Sequence, residues 1–110
     1  MAKSSIDLNA WDAELAGKSP NYEKLYNQML QASKESPGDV EIWSRLAQIT
    51  YMVSLNLTEE TSIKSKTLEG FQKAEKALNL DMNNFRANLW MAFIAGKLAL
   101  IGSNRQVKMK

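Results

Sequence analysis

The chain has 110 residues, 45% hydrophobic and 24% charged, a composition that fits one globular domain with a real core and excludes a disordered tract. It holds no cysteine and no histidine. That removes disulfides, thiolate nucleophiles, Cys/His metal sites, histidine triads and imidazole bases together. The formal net charge is +2, unevenly placed: residues 1–56 carry five Lys/Arg against seven Asp/Glu, and residues 57–110 carry nine against five. The mildly basic second half suits an acidic partner.

In chain order, the N-terminus lacks the apolar core of a signal peptide. Ile6, Leu8, Trp11 and Leu15 then recur at mostly helical spacing, which predicts a short helix over 6–16 stopped at Gly17. Ser19 is the expected cap of a second helix with Pro20 at its first position. Tyr22, Leu25, Tyr26, Met29, Leu30 and Ala32 form its apolar stripe, and Pro37-Gly38 ends it. Asp39 is the natural N-cap of a third helix whose inward face is Trp43, Leu46, Ala47, Thr50 and Val53.

Thr58 before Glu59-Glu60 reads as a fresh cap for a fourth helix to about Asn79. Its pairs Glu60 to Lys64 and Glu69 to Lys73 add about 0.2–0.5 kcal/mol each. Its inward positions are Ile63, Thr67, Gly70, Phe71, Ala74, Ala77 and Leu78. After the turn at Asp81-Met82-Asn83-Asn84, a fifth helix covers 85–101. Gly102-Ser103-Asn104 is expected to end it, with residues 105–110 starting a sixth. The most apolar run, 89–101, is interrupted by Lys97 and is shorter than the roughly 20 residues of a membrane span. No segment alternates with a period of two, so the expected fold class is all-α.

The stretch 37–82 carries the pattern of a tetratricopeptide repeat, a helical hairpin in which small residues mark the close crossings. Trp43-x-x-Leu46-Ala47 matches the first helix. Gly70, Ala74, Ala77 and Met82 match the second, with Met in place of the usual Pro. Gly70 stands 23 positions after Ala47, where an ordinary repeat leaves about 12. The excess is close to three helical turns, which longer helices absorb without rotating their buried faces. Leu25, Met29, Ala32 and Pro37 repeat the second-helix spacings upstream. The expected architecture is one helical domain over 1–110, a stack of antiparallel hairpins with an elongated second hairpin. Repeat one covers 6–37, repeat two 38–82, and the first part of repeat three 83–110, where the pattern stops in mid-repeat.

Three blocks carry a family resemblance: Trp43-Ser44-Arg45-Leu46-Ala47, the long connection through 54–66, and Phe85-Arg86-Ala87-Asn88-Leu89-Trp90-Met91-Ala92-Phe93-Ile94. Together they resemble the regulator of microtubule dynamics family. The resemblance implies a non-enzymatic interaction module in the cytoplasm, on the cytoskeleton or spindle. Such a module associates with tubulin, microtubules or spindle proteins and so influences microtubule dynamics and chromosome segregation. Its alternative is a lipid-binding or lipid-transfer domain at organelle contact sites.

Trp11, Trp43 and Trp90 read as core anchors, and Met29, Met52, Met82 and Met91 as gap fillers. No catalytic, cofactor or metal residue is assigned, and no nucleic-acid partner is expected. By the repeat's register the groove-facing positions are Glu41, Ser44, Arg45, Gln48, Tyr51, Met52, Asn88 and Met91. Only Arg45 and Asn88 among them suit a clamp for a peptide carboxylate. The basic positions Lys64, Lys66, Lys73, Lys76, Arg86, Lys97, Arg105, Lys108 and Lys110 are the candidates for the acidic tails of tubulin, through screened attraction. The helix over 85–101 is apolar on nearly all sides and needs a cover, so self-association through it is expected.

Overall fold

Five helices follow one another in a computed structural model that describes residues 6–109, with side chains up to Gly102. Leu8–Leu15 is α1, Tyr22–Glu35 is α2, Val40–Leu55 is α3, Glu60–Leu80 is α4 and Phe85–Met109 is α5. No strand occurs among the described residues. The helices stack as antiparallel hairpins in two layers. In one, α3 lies between α1 and α5; α2 and α4 make the other, and α3 packs most extensively on α4. The shortest dimension is 20 Å, about two helix diameters.

Caps set most helix starts. Asp7 Oδ1 accepts from Ala10 N, Asn21 Oδ1 from Lys24 N, Asp39 Oδ1 from Glu41 N and Asn84 Oδ1 from Ala87 N. Each satisfies a first-turn N–H that has no partner inside its helix. Two expected caps are displaced. Asn21, not Ser19, caps α2, so Pro20 lies outside the helix. Glu59, not Thr58, occupies the N-cap of α4; its carboxylate accepts from the Ser62 and Thr61 hydroxyls instead of the backbone. The first helix is also shorter than 6–16.

The elongated hairpin takes up its extra length in the helices, since α3 has 16 residues and α4 has 21. Its small stripe is buried: Gly70, Ala74 and Ala77 face inward with Thr67. A Cβ on Gly70 would stand 3.3 Å from Ile94 Cδ1, 3.6 Å from Thr50 Cγ2 and 3.7 Å from Tyr51 N. This is the close crossing of α4 with α3 and α5. The buried hydroxyls of Thr50 and Thr67 donate back to the Leu46 and Ile63 carbonyls, so neither lacks a partner.

Two core clusters result. The first joins Trp11, Leu25, Met29, Ala32, Ile42, Leu46 and Ile49 across α1, α2 and α3. Burying each of its large aliphatic side chains contributes about 1.5–3 kcal/mol. The second is smaller, Ala47, Ala74 and Ile94, with Tyr51, Phe71, Trp90, Met91 and Leu98 around it. Trp11 anchors α1, its indole N–H donating to the Leu25 carbonyl at 3.1 Å.

The fifth helix does not stop at Gly102-Ser103-Asn104; it runs on to Met109, and no sixth helix begins among the described residues. No glycine has positive φ, so Gly102 does not make a C-cap turn. Without a following proline, one helical glycine costs only about 1 kcal/mol.

Candidate functional site

Glu41 and Arg45 lie one turn apart on α3 and share a face, as positions four apart must. Asp12 of α1 approaches from the side. Arg45 Nε donates to Asp12 Oδ1 at 2.9 Å and Nη2 to Oδ2 at 2.8 Å, a two-point fork. Its Nη1 donates to Glu41 Oε1 at 2.9 Å and to the Glu41 carbonyl at 3.0 Å. From α5, Arg86 Nη1 donates to Gln48 Oε1 at 2.6 Å, and its Nη2 lies 3.6 Å from Asp12 Oδ2. Asn84 Nδ2 donates to Glu41 Oε2 at 3.0 Å. One polar network thus joins α1, α3 and α5.

The charges balance, two guanidiniums against two carboxylates. The Arg45 hydrogen bond holds the Asp12 carboxyl below its ordinary 3.8, despite the opposing effect of burial. Burial works against the Arg45 charge, but its bonds to Asp12 and Glu41 outweigh it and raise its pKa. For Arg86, burial and then the Arg45 charge push the pKa down. Arg45, with 8% of its side chain exposed, is a fully committed structural ion whose donors face acids already in place.

Beyond the network the same face becomes aromatic. The Tyr51 ring centroid lies 5.8 Å from Trp90 and 6.3 Å from Phe93, and Trp90 and Phe93 are 5.3 Å apart. Lys97 Nζ sits 5.4 Å from the Tyr51 ring and donates to Ser54 Oγ at 3.0 Å. Burial lowers its pKa from the ordinary 10.5. The shelf is therefore bracketed along α5 by Arg86 and Lys97.

Of the eight groove positions read from the sequence, this face gathers four: Glu41, Arg45, Gln48 and Tyr51. Ser44 is buried and donates to the Glu41 carbonyl. Met52 packs against the first core cluster. Asn88 is exposed and donates to the Met82 and Asn84 carbonyls, while Met91 packs into the second cluster. For Asn88 and Met91 the reason is the rotation of α5, which turns Ala87 and Ile94 inward and brings Arg86 and Lys97 to α3, whereas Ser44 and Met52 are taken up by the packing of α3 itself.

The basic positions do not form one patch. Arg86 and Lys97 belong to the face just described. Lys66 bonds Glu69 Oε1 at 3.0 Å and lies 4.5 Å from the Tyr26 ring. Glu69 takes Lys66 and the Tyr26 hydroxyl as its hydrogen-bond donors, and the expected pair to Lys73 does not close to an ion pair, although the Lys73 charge still favours the Glu69 carboxylate. Lys73 and Lys76 instead stand 5.6 and 5.7 Å from the Trp43 ring. Lys64 lines a shallow depression on α4 with Thr61, Ser65, Leu68, Glu69 and Gln72. The Arg105 and Lys108 side chains and all of Lys110 lie outside the described residues.

Sequence reasoning missed Asp12, Trp90 and Phe93 as parts of the face, and placed Arg86 and Lys97 only among surface charges. Asp12 carries no local signal, since its partner is 33 positions away. Trp90 and Phe93 carried one, an aromatic pair three apart on one side of a helix. Among the described residues no group of three Asp or Glu gathers to hold a metal, and no helix is long and apolar enough to cross a membrane.

The family model described as regulator of microtubule dynamics protein 1-3 matches residues 7–109. No individual curated protein and no solved structure gives a match. A match over nearly the whole helical stack, on a chain with the Trp43 block, the long α3–α4 hairpin and the Trp90 block in place, puts this protein in the regulator of microtubule dynamics family.

Proposed function

We propose that this chain is a non-enzymatic interaction module that associates with microtubules, or with a spindle protein bound to them, and so influences microtubule dynamics and chromosome segregation. The observation that carries the reading is the family match over residues 7–109. In this reading the chain is a tetratricopeptide-like stack of two hairpins and part of a third, acting in the cytoplasm on the cytoskeleton.

The partner segment lies along the α3–α5 face, its apolar side chains on Tyr51, Trp90 and Phe93 and its acidic groups toward Lys97 and Arg86. Lys64, Lys66, Lys73 and Lys76 of α4, with Arg105, Lys108 and Lys110, add attraction to an acidic surface such as the tails of tubulin. That attraction is screened over about 10 Å at 0.1 M salt. Co-sedimentation tests it: the chain pellets with microtubules at low salt and is released as salt rises. No pelleting at low salt overturns the reading.

A second reading, a lipid-binding surface at organelle contacts, draws on one feature. Phe85, Leu89, Phe93 and Leu100 leave an apolar row uncovered on α5. The same row is where self-association is expected. Native mass spectrometry of the purified chain separates the two, since a lipid adduct and a doubled mass are distinct signals.

A further inference from the structure

We propose that Trp43, Lys73 and Lys76 form a docking clamp for a glutamate-rich peptide segment. The inference rests on the acidic-partner reading and gives that partner a second point of contact, for a glutamate-rich segment, on the α3–α4 hairpin beside the one proposed on the α3–α5 face.

Trp43 is the fixed element. Its indole N–H donates to the Pro37 carbonyl at 2.7 Å, and its ring packs against the first core cluster while remaining partly accessible. Over this ring α4 brings two ammonium groups, Lys73 Nζ at 5.6 Å and Lys76 Nζ at 5.7 Å from the centroid. Positions three apart on a helix are neighbours, so two like charges sit together and repel. The negative face of the indole holds them there.

No carboxylate completes the arrangement. Neither lysine enters an ion pair among the described residues. Glu69, one turn before Lys73, takes its hydrogen bonds from Tyr26 and Lys66, and the Lys73 charge acts on it only at longer range. The contrast with the other cations on rings is sharp. Lys66 on Tyr26 also bonds Glu69, and Lys97 on Tyr51 also bonds Ser54. The Trp43 pair alone, among the described residues, has aromatic contacts and no hydrogen bond or ion pair. Two preplaced ammoniums on an apolar ring fit two glutamate side chains of one segment, whose carboxylates meet the lysines while their methylenes cover the indole edge.

Indole N–H signals of the 110-residue chain, followed by NMR during titration with a Glu-rich peptide, test the clamp. The Trp43 signal shifts saturably and the Trp11 signal does not, and the shift fades with added salt. The double substitution Lys73→Gln/Lys76→Gln weakens binding roughly tenfold. Lys18→Gln/Lys34→Gln, the same loss of two charges at exposed lysines outside α4, leaves it unchanged. Equal binding by the double variant and the wild type overturns the proposal. So does a Trp43 response to phosphatidylserine vesicles with none to the peptide. Microtubule co-sedimentation of the same proteins keeps the two readings apart. Pelleting unaffected by the double variant sinks the clamp as the tubulin contact, whereas peptide binding at Trp43 without pelleting sinks the microtubule reading and leaves the clamp.

Discussion

Asp12 and Arg45 meet through two parallel hydrogen bonds, 2.9 and 2.8 Å, although 33 positions separate them. The pair fastens a helix of only eight residues to the middle of the stack. Removing the Asp12 charge leaves a buried guanidinium with Glu41 alone as its acid. Breaking a fully buried pair costs about 3–5 kcal/mol, and Asp12 is partly exposed, so Asp12→Asn is expected to cost about 2 kcal/mol. Urea unfolding measures it.

The same pair sets an acid response. Because the folded Asp12 pKa lies below its ordinary 3.8, its contribution is fully present above that value. It is lost as pH falls through the lower, folded value. Wild-type stability therefore drops below about pH 4, and Asp12→Asn shows a shallower drop over that range. Melting temperatures of the two proteins between neutral pH and pH 3 check it; parallel curves would refute the assignment.

Gly70 gives a graded packing test. An added methyl meets the flexible tip of Ile94 at 3.3 Å, and alanine favours a helix over glycine by about 1 kcal/mol. Gly70→Ala should then lie within about 1 kcal/mol of wild type. Gly70→Leu must displace Thr50 and the α3 backbone and should cost about 2–4 kcal/mol. Equal stability of all three would mean that the crossing is looser than these distances.

How much of this was legible follows from where the signals lie. The α3–α4 hairpin was readable because its inward stripe and its Asp39 cap are local patterns, and Gly70, Ala74 and Ala77 fell where the spacing put them. The α2 start was not, because Ser19 and Asn21 are both good caps two residues apart. The end of α5 was missed because glycine weakens a helix without breaking it. The repeat's register puts Asn88 and Met91 in the groove. The actual rotation of α5 depends on Ile94 reaching the Gly70 crossing, a tertiary contact invisible in one helix's sequence. The Asp12 and Arg86 contacts to α3 are likewise products of the stack, not of any segment.

The apolar row of α5 separates packing from exposure. Phe85 is 78% exposed and Leu100 65%, whereas Ile94 is fully buried. Phe85→Ser and Leu100→Ser should change stability by no more than about 0.5 kcal/mol, while Ile94→Ala should cost about 2–5 kcal/mol. A large loss from Phe85→Ser at high protein concentration that vanishes on dilution would show that the row is covered by a second copy.

Tyr26 and Glu69 tie α2 to α4 through a hydroxyl-to-carboxylate bond, with Lys66 completing the group. Burial and then this bond raise the Tyr26 pKa above the ordinary 10. Burial opposes the Glu69 charge, but the bonds from Tyr26 and Lys66 leave its pKa lowered from 4.5. A raised tyrosine pKa means that its stabilisation is present below pH 10 and is lost as the pH climbs through the folded value. Tyr26→Phe removes a charge-assisted hydrogen bond of a partly exposed group and should cost about 1 kcal/mol near neutral pH. Ultraviolet titration of the phenols should show one group ionising late in the wild type. Glu69→Gln should bring that group back toward 10, because the carboxylate then no longer opposes the phenolate. An unchanged titration in Glu69→Gln would assign the shift to burial alone and remove Glu69 as the tie between the two helices.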